Sequence, residues 1–152
     1  MILSGTFTFN GPRATVWKLL QDPEVLAKAL PGTKTLTKTS EDRYEGVMKV
    51  SVGPMTAAEF SVTVELKDKI EPEKFSMHID GKGGVGFTSG IATIELQEQA
   101  GPITIMNYTS DIQIGGRIAG VGQRLLELAG KMMTQQALNA LNKELQSRLD
   151  QS

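Results

Sequence analysis

The sequence predicts an α+β fold: a curved antiparallel sheet of about seven strands around one long C-terminal helix, with two short helices after the first strand. Three observations carry this reading. Apolar and polar residues alternate in Ile2 to Phe9 and again from Lys34 to Ile114. From Gly115 to Leu149 the spacing becomes helical, without a proline. Between these regions lie two short stretches, opened by Pro12 and Pro23.

The elements follow in order. Leu3, Phe7 and Phe9 point one way and Ser4, Thr6 and Thr8 the other, the pattern of a half-buried strand. Asn10-Gly11-Pro12 ends it. Proline at a helix start costs no hydrogen bond, so Pro12 opens a short helix through Leu20, with Val16, Trp17 and Leu20 inward. Asp22-Pro23-Glu24 supplies an N-cap, a first-turn proline and a dipole-compatible acid, and Pro31-Gly32 stops the second helix. Strands are predicted at 33–39, 43–52, 57–69, 73–81, 86–98 and 103–114. The connections are short turns, so sequence neighbours pair antiparallel. The glycine-rich stretch Gly81 to Gly86 has no helix behind it to receive a phosphate and reads as a mobile hairpin tip. In the last segment Ile118, Val121, Leu125, Leu128, Ala129, Met132, Ala137, Ala140, Leu141, Leu145 and Leu149 recur at helical spacing, predicting a helix over Ile118 to Leu149.

The alternation sorts side chains by face. Tyr44, Met48, Val50 and Val52 share the inner face, as do Ala58, Phe60, Val62, Val64 and Leu66. Phe75, Met77 and Ile79 follow, then Ala92, Ile94 and Leu96, then Met106, Tyr108, Ile112 and Ile114. Ile103 and Ile105 fall on the other side of the last strand, which a bulge or a second covered face would explain. Glu45, Glu59, Glu65, Glu95 and Asp111 all take the outward register, where a carboxylate stays hydrated.

At 152 residues one domain, 1–152, is the expected count. A net charge of −1 gives no field toward nucleic acid, and none is expected as a partner. With no cysteine and a single histidine, His78, in the outward register, no metal site and no cofactor are expected. No serine stands in a nucleophile elbow, and no inward carboxylate pair is available for acid–base work. No apolar run approaches the roughly 20 residues of a membrane span, and the expectation is a soluble cytoplasmic protein.

Several segments resemble the CoxG family of carbon monoxide dehydrogenase, within the START/Bet v 1-like (SRPBCC) superfamily. They are "VWKLLQDPEVLAKALPG" with Trp17, the strand start Tyr44-Glu45-Gly46, the "KVSVGPM" hairpin and "GGRIAGVGQRLL". The resemblance runs through essentially the whole chain. It implies a helix-grip fold and binding of a hydrophobic molecule between sheet and helix. It also implies an accessory role beside a molybdenum hydroxylase of the carbon monoxide dehydrogenase type, handling a quinone or lipid, with peripheral contact at the inner face of the membrane. Two departures weigh against carrying over membrane attachment. The sequence ends soon after the helix, and Gln135-Gln136-Ala137-Leu138 stands where an aromatic residue is expected.

The candidate ligand-binding residues are Tyr44, Met48, Val50, Phe60, Val62 and Val64, then Phe75, Met77, Ile94, Met106 and Tyr108, and from the helix Leu125, Leu128 and Met132. The two tyrosines are either core residues satisfied by backbone or anchors for a ligand carbonyl or head group. Met48, Met77, Met106, Met132 and Met133 recur on the predicted inner faces, as gap fillers or as an adaptable lining. Two other readings stay open: a polyketide cyclase-like enzyme, which would need inward polar groups beyond Tyr44, Tyr108, Ser110 and Asn107, and a solid-core interaction module.

Overall fold

A computed structural model describes residues 1–151, and of Thr56 the backbone alone. The chain runs β1 (Ile2–Phe9), α1 (Arg13–Leu19), α2 (Pro23–Ala29), β2 (Thr33–Ser40), β3 (Arg43–Val52), β4 (Met55–Ile70), β5 (Lys74–Gly83), β6 (Gly86–Gln99), β7 (Ile103–Gly115), a 3₁₀ turn (Arg117–Val121) and α3 (Gln123–Asp150). Seven strands form one antiparallel sheet in the order β1-β7-β6-β5-β4-β3-β2. Tight turns make each strand from β2 to β7 pair with its sequence neighbour. β1 instead pairs with β7, so α1 and α2 carry the chain from one sheet edge to the other. This is a helix-grip fold.

Local chemistry sets the short helices. Asp22 caps α2, its Oδ1 accepting from the backbone N–H of Glu24 at 3.0 Å and of Val25 at 3.4 Å. Arg148, in the last turn of α3, donates to the other oxygen of Asp22 at 3.1 Å. Burial opposes the charge on Asp22, but the Arg148 guanidinium and the two N–H groups outweigh it, and its pKa falls below the ordinary value. This pair ties the end of α3 to the start of α2.

The main core lies where α1, α2 and the C-terminal half of α3 meet the sheet. It holds Phe9, Val16, Trp17, Leu19, Phe75, Leu96, Met106, Leu138, Leu141 and Leu145. Trp17 meets Phe75 edge to face, with ring centroids 5.3 Å apart. A second, separate cluster sits at the other end: Ala58, Phe60 and Ile118, with Val50, Met55, Val62, Val85, Ile114 and Leu126 against it.

The last segment departs from expectation. The predicted single helix from Ile118 is broken: Ile118 belongs to the 3₁₀ turn, and α3 begins only at Gln123. Gly116 and Gly122 take φ values of 83° and 100°, a conformation that interrupts a helix and that glycine tolerates best. Nor does a bulge explain Ile103 and Ile105. β7 pairs with both neighbours without a register shift, and both isoleucines lie half-buried on the outer face. The Gly81–Gly86 hairpin tip is held by a bond from the Ile118 N–H to the Val85 carbonyl, 2.7 Å.

Candidate functional site

The inner face of the sheet divides into a packed end and a looser end. At the packed end Tyr44, Phe75, Ile94 and Met106 are buried in the main core. The Tyr44 hydroxyl donates to the Gln21 carbonyl at 2.5 Å, so it is satisfied by backbone, and burial pushes its pKa above the ordinary value, with Asp42 and Asp22 adding to the effect. Val64 and Met77 are half-buried at the border of that core. At the far end Phe60 is buried, and Val50 and Val62 pack partly against it. Met48 and Tyr108 are half-buried.

The helix residues lie elsewhere. Leu125, Leu128 and Met132 are 41%, 54% and 55% exposed. At about 100° per residue, Met132 stands half a turn away from Leu141, on the opposite side of α3. The face turned to the sheet carries Leu126, Gly130 and Thr134, then Ala137, Leu138, Leu141 and Leu145. The last four are buried, whereas no residue from Gln123 to Gln136 is. A Cβ on Gly130 would stand 2.8 Å from Leu3 Cδ1, so helix and strand touch closely there.

That small, polar stretch of helix leaves a cleft at the β1 edge of the sheet. It has a volume of about 190 Å³ and is lined by Ile2, Leu3, Ser4, Tyr108, Lys131 and Thr134. Among the predicted residues Tyr108 alone lines it. The others were missed, although Gly130 and Thr134 share the helix face of Leu138 and Leu141. Small or polar residues on a buried face are the signal of a gap. Thr134 Oγ1 donates to the Gly130 carbonyl at 2.8 Å. The Tyr108 hydroxyl makes no hydrogen bond, and Lys131 no ion pair, among the described residues.

Charge stays outside. Glu45, Glu59, Glu95 and Asp111 are exposed, and Glu65 is held by Arg43 at 2.6 Å on the outer face. His78 and Asp80 border an open outer groove with Arg43, Thr63, Glu65, Lys67 and Lys82, far from the helix side in register. Asn107 also faces outward, accepting from Thr6 Oγ1 at 2.9 Å; alternation excludes it from the face of Met106 and Tyr108. Among the described residues no group of three or more acidic or histidine side chains is placed to hold a metal. No helix among them is long and apolar enough to cross a membrane.

The hairpin tip Val52 to Met55 tucks inward. Val52 is buried, and a Cβ on Gly53 would stand 3.2 Å from Leu125 Cδ1. It thus packs toward the start of α3, beside the exposed stripe.

A conserved protein from Geobacillus kaustophilus has a similar structure, with 26% identity and a TM-score of 0.91 over 97% of this chain and 96% of that one. A START superfamily protein from Mycobacterium smegmatis is similar at 11% identity and a TM-score of 0.72, over 96% of this chain and 97% of that one. The Zhui aromatase/cyclase from Streptomyces sp. R1128 shares 16% identity and a TM-score of 0.71, over 98% and 95%. The last two likenesses concern the fold alone. No curated protein matches the sequence. The model of one family, CoxG of carbon monoxide dehydrogenase, matches residues 5–146, and the chain belongs to that family.

Proposed function

We propose that residues 1–152 form one non-enzymatic binding unit for a hydrophobic small molecule, a quinone or a lipid, held between the inner face of the sheet and α3. The single observation that carries this reading is the looser end of that face. There Met48, Val50 and Val62 remain half-buried; a cleft opens at the β1 edge of the same sheet, and Glu45, Glu59, Glu65, Glu95 and Asp111 lie outside. The cleft is smaller than the roughly 300–1,000 Å³ of pockets for drug-sized ligands, so as it stands it receives one end of such a molecule. The Tyr108 hydroxyl, without a partner among the described residues, suits a carbonyl or head group. A cyclase-like enzyme would need more inward polar groups than Tyr44, Tyr108, Ser110 and Asn107, and of these Tyr44 is engaged with backbone and Asn107 with Thr6 on the outer face.

CoxG family membership supports a role as an accessory to a molybdenum hydroxylase of the carbon monoxide dehydrogenase type. The exposed stripe Leu125, Leu128 and Met132, flanked by Arg117, Arg124 and Lys131, supports peripheral contact with the inner face of a membrane. Organic extraction of the purified protein, followed by mass spectrometry, tests the cargo. A co-purifying apolar compound, or saturable binding of quinone analogues, is the expected result. Absence of both would overturn the reading.

A further inference from the structure

The cleft has a charge as well as a shape. Lys131 is the only formally charged residue in its lining, and it makes no ion pair among the described residues. Glu127, one turn earlier on α3, instead accepts from Gln123 at 3.0 Å. The cleft also carries one inner-face hydroxyl with no hydrogen bond among the described residues, that of Tyr108, whereas Ser4 takes the outward register of β1 beside Thr6. Tyr108 lies across Gly5, its directly paired neighbour on β1, where any side chain would displace the phenol. Thr134 already donates its proton to Gly130 and can only accept. Ile2 and Leu3 complete the lining with apolar surface.

One cation, one free hydroxyl donor and an adjoining apolar wall match one ligand chemistry: an amphiphile with a single negative charge. We infer that the cleft binds the carboxylate of an aliphatic acid, with Lys131 and Tyr108 on its oxygens and the chain on Leu3 and Ile2. A single ammonium balances one carboxylate; a phosphate monoester, with its higher charge, would leave charge uncompensated. This rests on the carrier reading and narrows it to acidic lipids.

Calorimetric titration of the full chain with decanoate and with decanol tests the inference. Decanoate is expected to bind about three- to fivefold more tightly than decanol at low salt, the range of a partly exposed charge pair, and added salt should shrink the gap. Lys131→Met should abolish the advantage of decanoate over decanol measured within that variant, while Lys131→Arg should retain it. Lys131 is exposed, so these variants keep the fold. Should decanoate bind no better than decanol, or keep its advantage in Lys131→Met, the head-group assignment falls and the carrier reading stands. Should neither compound bind, the acid assignment falls, and the carrier reading rests on the extraction and quinone-analogue result alone.

Discussion

The ring of Tyr108 occupies the space a side chain at residue 5 would need: a Cβ on Gly5 would stand 2.6 Å from the Tyr108 hydroxyl oxygen. Strand pairing sets the two directly opposite each other. Gly5→Ala therefore has to push the phenol out of the cleft. The expected cost is about 1–3 kcal/mol, as for other overpacked sites, with weaker binding of quinone analogues. Tyr108→Phe removes only a hydroxyl without a protein partner. Its urea midpoint should match wild type within about 0.5 kcal/mol, while its ligand affinity falls. Equal loss of both quantities in Tyr108→Phe would count against a role in binding.

Tyr44 behaves in the opposite sense. Its hydroxyl is committed to the Gln21 carbonyl inside the core. Tyr44→Phe leaves that carbonyl short of a donor, for an expected loss of about 1–3 kcal/mol in chemical denaturation. Ligand affinity should not change.

The Asp22–Arg148 pair predicts an acid-sensitive contribution to stability. The folded-state pKa of Asp22 lies below its ordinary value. The contribution is therefore present above the ordinary carboxylate pKa and is lost as pH falls through the depressed one. Asp22→Ala should cost about 1 kcal/mol near neutrality through the lost cap alone. Urea midpoints followed into acid should converge for wild type and variant; parallel curves would refute the assignment.

The two faces of α3 predict contrasting truncations. Leu145 is fully buried and faces Gly11, where a Cβ would stand 2.9 Å from its Cδ2. Leu145→Ala should cost about 2–5 kcal/mol. Met132→Ala, on the exposed face, should stay within about 0.5 kcal/mol of wild type. Thermal melts of both variants give the comparison directly.

The exposed stripe predicts how the proposed membrane contact fails. A Leu128→Asp, Met132→Asp double variant should lose sedimentation with vesicles containing anionic lipid and keep its melting temperature. Undiminished sedimentation would move the contact elsewhere.

The sheet was legible in the sequence because its two faces differ in kind. Residues such as Glu65 beside Val64 and Leu66 leave no doubt about the register, and a slip by one residue would bury the charge. The helix was legible as a helix but not in its orientation. Leu125, Leu128 and Met132 satisfy helical spacing among themselves, yet Met132 stands nine positions before Leu141, about two and a half turns. Such a pair cannot share a face. The break at Gly122 further detached the first apolar residues from the rest. The inward register of Phe60, Val62 and Met77 was legible for the same reason as the sheet. The cleft itself was not, because it is made by what α3 lacks at Gly130 and Thr134.

α3 is 28 residues long and contains no proline, so its anchored and loosely seated portions act as one stiff rod. From Ala137 back to Gln123 that rod extends about 21 Å. Pivoting about the leucine-anchored portion by about 10° carries the far tip, seated by Leu126 on the second cluster, sideways by about 4 Å, roughly the width of an aliphatic chain. Gly120 and Gly122, around which no atom would obstruct a side chain, form the tether at that tip. In the proposed carrier, loading and unloading would then require no strand to separate and no core leucine to leave its place; a swivel at one glycine-rich joint would suffice.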